Sequence, residues 1–394
     1  MINYLINNNK IEIFFQPIVS IKDKKIFAYE ALTRAYDENN QFISPLYLFD
    51  KAKEENLSCL LDNYVRELAL KKFQSYYKND NDVLLFLNIE ASIIDSDEKD
   101  EFISLVSHYK IPTSNIVIEI KEDQIENSDS LKDFVARYKE EKFIIAIDDF
   151  GTGYSSFDRL EFIKPDIVKI DRSLIYNIHE NFINSEILKA ISNMCQKIGA
   201  MVLGEGVEHR DEVLSCLKKD IDIFQGFWFC KPQKEIDSFT KDNIIESVDY
   251  ISNRYRSMIK QDIHKKKELL SDFQDLTQKV LSVLEHNSIE DISRVDTIVL
   301  ENSKLEAIYI IDEESGLQVG KTVIHSKKRA LYTPTKDKHD HSLSEYYFLT
   351  KESSRQEYLS CKYISKASGN MCRTYSSSII ADGFKYIVCF DILE

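Results

Sequence analysis

Residues 141–156 read EKFIIAIDDFGTGYSS: the apolar run Phe143-Ile144-Ile145-Ala146-Ile147 stops abruptly at Asp148-Asp149, and a turn punctuated by Gly151 and Gly153 follows. The run predicts a buried strand. Two adjacent carboxylates at the mouth of such a strand repel each other unless a cation lies between them, so the pair points to a metal site. Asp at a turn or helix cap, with Gly supplying positive φ, accounts for the same residues without any chemistry. Recurrence separates the two readings: several more apolar runs along the chain end in an acidic or amide residue.

From residue 12 to about 232, strand-like runs alternate with helix-like stretches. The strands are expected near Ile13–Val19, Lys25–Ala31, Val83–Asn88, Ile116–Ile120, Phe143–Ile147, Ile167–Ile170, Met201–Leu203 and Ile221–Phe224. Such α/β alternation predicts a closed barrel of the TIM type, whose chemistry sits at the C-terminal ends of the strands. Those ends carry Glu30, Asn88, Glu119, Asp148, Asp149, Lys169, Asp171, Glu205 and Gln225. These are the residue types a divalent-metal phosphoester site needs.

The 394 residues, 43% hydrophobic and 30% charged, suffice for a large core and more than one domain. A net charge of -15 argues against a nucleic-acid polymer as partner and leaves a small nucleotide open. The seven cysteines have no regular spacing, so neither a disulfide framework nor a zinc knuckle is expected. The N-terminus lacks the pattern of a secretory leader, and no run approaches the roughly 20 apolar residues that span a bilayer. A cytoplasmic protein is expected.

After Pro232 the pattern changes. Apolar residues at helical spacing, among them Ile251, Tyr255, Met258, Leu270, Phe273 and Val280, predict a helical connector with a packing face. Strand-rich sequence follows at Ala307–Asp312, Tyr358–Ser365, Cys372–Ser378 and Lys385–Asp391, which reads as a small α+β domain with an antiparallel sheet. Residues 326–341 are polar and basic enough for a mobile loop. The domains are set at 1–245, 246–290 and 291–394.

Tyr29-Glu30-Ala31-Leu32-Thr33-Arg34 resembles the signature of EAL-domain phosphodiesterases, which hydrolyse cyclic di-GMP to the linear dinucleotide. The resemblance extends through Phe15-Gln16-Pro17, Asn88, Glu119-Ile120-Lys121-Glu122, Asp148 to Ser156, Lys164-Pro165-Asp166, Lys169-Ile170-Asp171, Glu205-Gly206-Val207-Glu208 and Gln225-Gly226-Phe227, in order over the first 232 residues. The segment from Tyr346 to Tyr375 more distantly resembles a PAS- or Cache-like sensory domain, which implies a possible small-molecule ligand there.

The resemblance implies two Mg²⁺ or Mn²⁺ ions per active site. Glu30, Asn88, Glu119 and Asp148 would hold the first, and Asp148, Asp149 and Glu205 the second, with Asp148 bridging. Lys169 would orient the attacking water or offset phosphate charge, a structural salt bridge being its other reading; Glu205 or Asp149 would accept the proton. Gln16, Leu32, Arg34, Asp171, Glu208 and Gln225 would face the dinucleotide, Arg34 being suited to a phosphate oxygen. Glu122, Phe150, Gly151 and Gly153 resemble the loop that couples the metal site to a dimer interface, although Glu122 as a mere loop cap is an equal reading. A homodimer paired through the connector is expected.

Three positions depart from the family pattern. Ile89-Glu90 follow Asn88 in place of a small hydroxyl residue, Gly204 replaces alanine, and Lys121 replaces threonine. An ammonium beside Glu119 and Glu122 would compete with the metal or loosen the loop, although Lys121 is expected to point opposite to Glu119. The complete ligand set favours an enzyme. A receptor that binds cyclic di-GMP without turnover is the alternative, and a dimeric scaffold the third reading.

Overall fold

The computed structural model describes residues 1–89, 101–121, 129–152, 157–284, 304–325 and 334–393, together with Val295, Ile298 and Asn302. The chain divides into two compact units, Met1–Ile259 and Lys260–Glu394. The division falls inside a helix, Ser238–Leu284, where the sequence placed its connector at 246–290. Among the described residues, no helix is long and apolar enough to cross a membrane.

The first unit holds β1 (Ile11–Ser20), β2 (Lys25–Tyr36), β3 (Phe42–Ile43), β4 (Leu84–Asn88), β5 (Ile116–Lys121), β6 (Ile144–Phe150), β7 (Ile167–Ile170), β8 (Met201–Gly204) and β9 (Ile223–Gln225). They follow the order β1-β9-β8-β7-β6-β5-β4-β2-β3, and β1 pairs back onto β2 to close a barrel. All eight expected strands are present. The barrel is not all-parallel, however: β1 runs antiparallel to both β2 and β9. Only residues 21–24 separate β1 from β2, far too few for the crossover that a parallel pair demands.

Strand alternation builds two layers. Ile18, Ala28, Phe86, Val117, Ala146, Ile167, Leu203 and Ile223, one residue from each barrel strand, form a single buried cluster that fills the interior. The intervening residues, such as Leu85, Ile118, Ile145 and Val168, join a larger cluster with Phe134, Leu188 and Val213 from the surrounding helices. Burying each such large apolar side chain contributes about 1.5–3 kcal/mol, so the strands cannot slip by one residue without inverting both layers.

The second unit holds β10 (Leu305–Asp312), β11 (Gln318–Ile324), β12 (Glu357–Leu359), β13 (Tyr363–Ile364), β14 (Met371–Ala381) and β15 (Phe384–Leu393), with the helix Glu345–Glu352. The sheet order is β11-β10-β15-β14-β12, β13 also pairs with β14, and every pairing is antiparallel. Two corrections arise here. The expected strand Tyr358–Ser365 is two short strands, because the Ser360 hydroxyl accepts from the Thr374 amide and interrupts the ladder. Of the expected mobile loop, residues 326–333 lie outside the described residues. Residues 334–341 instead bond along β11, with Lys338 and His339 bridging to Gln318 through backbone hydrogen bonds of 2.8 Å.

Candidate active site

The barrel interior continues as a polar layer. Glu30, Asn88, Glu119, Asp148, Lys169, Glu205 and Gln225 each lie two residues beyond a member of the apolar cluster, and Gln16 lies two residues before Ile18 on the reversed β1. Residues two apart on a strand share a face, so eight polar side chains, one from each strand, cap the apolar layer.

Asp149 enters by an irregularity. The β6–β7 register shifts between Ile147 and Phe150, and Asp149 adopts a φ of 58°. A regular pleat sends successive side chains to opposite faces; the bulge brings two carboxylates to one place. One ligand oxygen from each of Asp148, Asp149 and Glu205 lies within 4.8 Å of the other two.

Lys169 stands at the centre, with its side chain 1% exposed. Its ammonium pairs with Glu119 Oε1, lies 2.8 Å from Asp148 Oδ1 and 2.7 Å from Glu205 Oε1, and reaches Glu30 Oε1 at 3.9 Å. Burial alone would lower the pKa of this lysine, but the carboxylates of Asp148, Glu119, Glu205 and Glu30 override it and hold the ammonium well above its ordinary value. Burial raises Glu119 well above the usual carboxylate range, against the pull of Lys169. It likewise pushes Glu205 up to about 8, with Lys169 opposing and Asp148 and Glu30 reinforcing. Asp149 is raised by burial and by Asp148, while Lys121 and Lys169 hold it down.

The amides complete the layer. Asn88 Nδ2 donates to Glu119 Oε2 at 2.9 Å and to Glu30 Oε1 at 3.3 Å. Gln225 Nε2 donates to Glu30 Oε2 and, at 3.3 Å, to Gln16 Oε1, while Gln16 Nε2 donates to the Cys230 carbonyl. Five carboxylates thus converge where one ammonium serves most of them. Such a concentration of partly buried like charge is costly without further cations. An all-oxygen set of carboxylates and an amide suits hard divalent ions. The residues fit the implied metals.

Above this layer opens a cleft of about 810 Å³, a size suited to a small organic ligand. Leu32, Arg34, Asp171 and Glu208 line it. The Asp171 carboxylate also caps the helix Arg172–Ile175 through the Ser173 amide at 2.8 Å, and Glu208 pairs with Arg172. Two glycines let the backbones meet there. A Cβ on Gly226 would sit 2.1 Å from the Val207 carbonyl oxygen, and one on Gly206, at a φ of 63°, would sit 2.8 Å from Arg172 Cβ.

Other expected residues fall elsewhere. Phe150 is 1% exposed in the outer core, and Gly151 lies against Leu174. Glu122 and Gly153 lie outside the described residues. Lys121 does not point away from Glu119: it lines the same cleft and pairs in register with Asp148 on the adjacent strand. The reason is the pleat itself, since residues 119 and 121 are two apart. Arg172 and Phe227, both in the cleft wall, were not anticipated. Each directly follows or lies two beyond a residue that was, Asp171 and Gln225.

Comparison with known proteins places the chain. YkuI of Bacillus subtilis (strain 168), an uncharacterized EAL-domain containing protein, is 26% identical over 392 residues, 95% of this chain and 93% of its own. The cyclic di-GMP phosphodiesterase PdeF of Escherichia coli (strain K12) is 29% identical over 238 residues, 60% of this chain and 32% of its own length. The probable cyclic di-GMP phosphodiesterase PdeG of the same organism is 28% identical over 235 residues, 59% of this chain and 46% of its own. The chain therefore spans less than half of either phosphodiesterase. The crystal structure of YkuI, in complex with substrate c-di-GMP and calcium, aligns at a TM-score of 0.84 and 22% identity over 100% of this chain and 98% of that one, which shows the shared fold. The EAL domain family itself matches residues 1–232, the span that builds the barrel and its polar layer, and the chain belongs to that family.

Proposed function

We propose that this chain hydrolyses cyclic di-GMP to the linear dinucleotide with two Mg²⁺ or Mn²⁺ ions. The observation that carries the proposal is the polar layer, in which Glu30, Asn88, Glu119, Asp148, Asp149 and Glu205 converge on Lys169 beneath a cleft of about 810 Å³. Glu30, Asn88, Glu119 and Asp148 would hold one ion, and Asp148, Asp149 and Glu205 the other. Bound divalent ions supply charge neutralisation at the phosphodiester and a hydroxide-like nucleophile. The chain's own residues do the rest. Lys169, fixed among carboxylates, offsets charge and orients water; Glu205 or Asp149 takes the proton; Arg34 meets a phosphate oxygen, and Leu32, Glu208 and Asp171 shape the cleft.

The test is incubation of the purified chain with cyclic di-GMP and Mg²⁺ or Mn²⁺, with chromatographic resolution of products and Glu30→Ala in parallel. Linear dinucleotide formed only by the unmutated chain supports hydrolysis. Tight binding without product supports the receptor reading, which the Lys121 ammonium in the cleft favours.

The separate core of the second unit, in which Phe273, Leu276 and Val280 of the long helix pack with Ile308, Tyr375 and Phe390, supports a regulatory role for residues 291–394. In this reading they form a PAS- or Cache-like sensor for a small molecule, residues 246–290 pair two subunits, and residues 1–245 form the cytoplasmic catalytic barrel. Light scattering that gives a monomer at micromolar concentration overturns the pairing.

A further inference from the structure

The apolar and polar layers of the barrel are followed by a third, one pleat nearer the cleft mouth. Leu32, Lys121, Asp171 and Phe227 lie two residues beyond Glu30, Glu119, Lys169 and Gln225, and all four line the cleft. Lys121 is the cation of this layer. It is half-buried at the end of β5, in register beside Asp148, and its side chain rises from the same strand face as Asp148. The register shift after Ile147 brings Asp149 into the same cleft wall that Lys121 and Asp148 line. Lys169 is thus committed to Glu119, Asp148 and Glu205 from below, whereas Lys121 lines the cleft wall together with Asp148 and Asp149.

We propose that Lys121 is a positioning residue that sets a fixed positive charge against the Asp148, Asp149 and Glu205 group, so that this chain fills its second cation position weakly. The inference rests on the two-cation reading above and concerns only one of its two positions. A like charge held near a cation position reduces affinity there through direct repulsion. Partners just outside a metal's own ligands commonly alter affinity by about 10- to 100-fold. The position served by Glu30, Asn88 and Glu119 lies one pleat deeper than Lys121 and does not draw on Asp149, and it is expected to keep its affinity. The second position then depends on the negative charge that a bound phosphodiester brings, which couples cation and dinucleotide binding reciprocally. Turnover would be limited by cation supply even though every ligand is present.

The experiment is calorimetric titration of the full chain with Mn²⁺ alone, with no dinucleotide, for the unmutated protein, Lys121→Gln and Lys121→Arg. The unmutated chain and Lys121→Arg are expected to show one tight and one weak Mn²⁺. Lys121→Gln should tighten the weak one by about tenfold and leave the tight one within twofold. An unchanged weak constant in Lys121→Gln, or equal tightening of both, overturns the proposal. Parallel assays of cyclic di-GMP hydrolysis separate the two claims: a selective shift in Mn²⁺ affinity without hydrolysis by any of the three proteins sustains the role of Lys121 and removes the phosphodiesterase reading. Absence of any Mn²⁺ binding removes both.

Discussion

Lys169 Nζ lies 2.7 Å from Glu205 Oε1, and the two groups hold displaced pKa values for opposite reasons: burial raises the carboxyl, whereas the surrounding carboxylates raise the ammonium. Each makes the other tolerable. Lys169→Met removes the shared cation and leaves Glu119, Asp148 and Glu205 facing one another. Breaking a buried pair from one side costs about 3–5 kcal/mol. Urea denaturation in EDTA should therefore place Lys169→Met at least 3 kcal/mol below the unmutated chain, and millimolar Mn²⁺ should recover much of the difference. Equal stability in EDTA would mean that proton uptake by Glu119 and Glu205 replaces the ammonium.

The joint between Gln225-Gly226-Phe227 and Glu205-Gly206-Val207 is a backbone contact. Val207 N donates to the Gln225 carbonyl at 3.2 Å, and Trp228 N donates to the Val207 carbonyl at 3.0 Å. Because a Cβ on Gly226 would overlap the Val207 backbone and not a flexible side chain, the strand end must move. Gly226→Ala should destabilise the barrel by about 3 kcal/mol and shift Gln225 off Glu30. Its urea midpoint checks this, and a midpoint within error of the parent would refute the contact.

Arg34 is held at the cleft wall with its guanidinium 5.6 Å from the Phe14 ring centroid and Nη1 donating to the Thr33 carbonyl at 2.9 Å. That leaves donors of the fork for a phosphate. Arg34→Ala should raise KM for cyclic di-GMP by about tenfold or more and alter kcat far less. An equal loss of kcat at unchanged KM would place Arg34 in the chemical step instead.

The polar layer was legible because its residues interrupt or end apolar runs, each two places from an inward apolar residue. Glu30, Asn88, Glu119, Asp148, Lys169 and Glu205 all announce themselves in that way. The same two-residue period puts Lys121 on the face of Glu119, against the expectation that it points away. The convergence of Asp149 was less accessible, since it depends on a register shift between β6 and β7 that no single strand encodes. Strand β11 escaped because Gly320 and Lys321 break its alternation, and its pairing with β10 is itself irregular between Ile308 and Ile310. Arg172 carries no pattern at all: it reaches the cleft because the Asp171 cap turns the chain into a four-residue helix there.

In the second unit, His341 is 4% exposed and stacks on Tyr309 with ring centroids 5.3 Å apart. Its Nδ1 lies 2.7 Å from Tyr346 Oη and its Nε2 3.0 Å from Gln318 Oε1. The Gln318 oxygen can only accept, so Nε2 carries the proton of the neutral ring and Nδ1 accepts from Tyr346. Burial lowers the pKa to about 4, with His339 reinforcing and Asp340 opposing. An unfolded histidine titrates near 6.5. The folded value lies below the unfolded one, so as pH falls the unfolded chain takes up its proton first. The stability that depends on neutral His341 is therefore whole above about pH 6.5 and is lost progressively toward pH 4. At about 1.4 kcal/mol per pH unit, the loss reaches about 2 kcal/mol by pH 5. His341→Gln keeps a donor and an acceptor and removes the titration. Hydrogen exchange of peptides from β10 and β15, corrected for intrinsic rates at pH 7 and pH 5, should show this loss of protection in the parent and a flatter response in His341→Gln. Equal responses would mean that the imidazole finds a proton-accepting partner in the fold and that burial does not govern its charge.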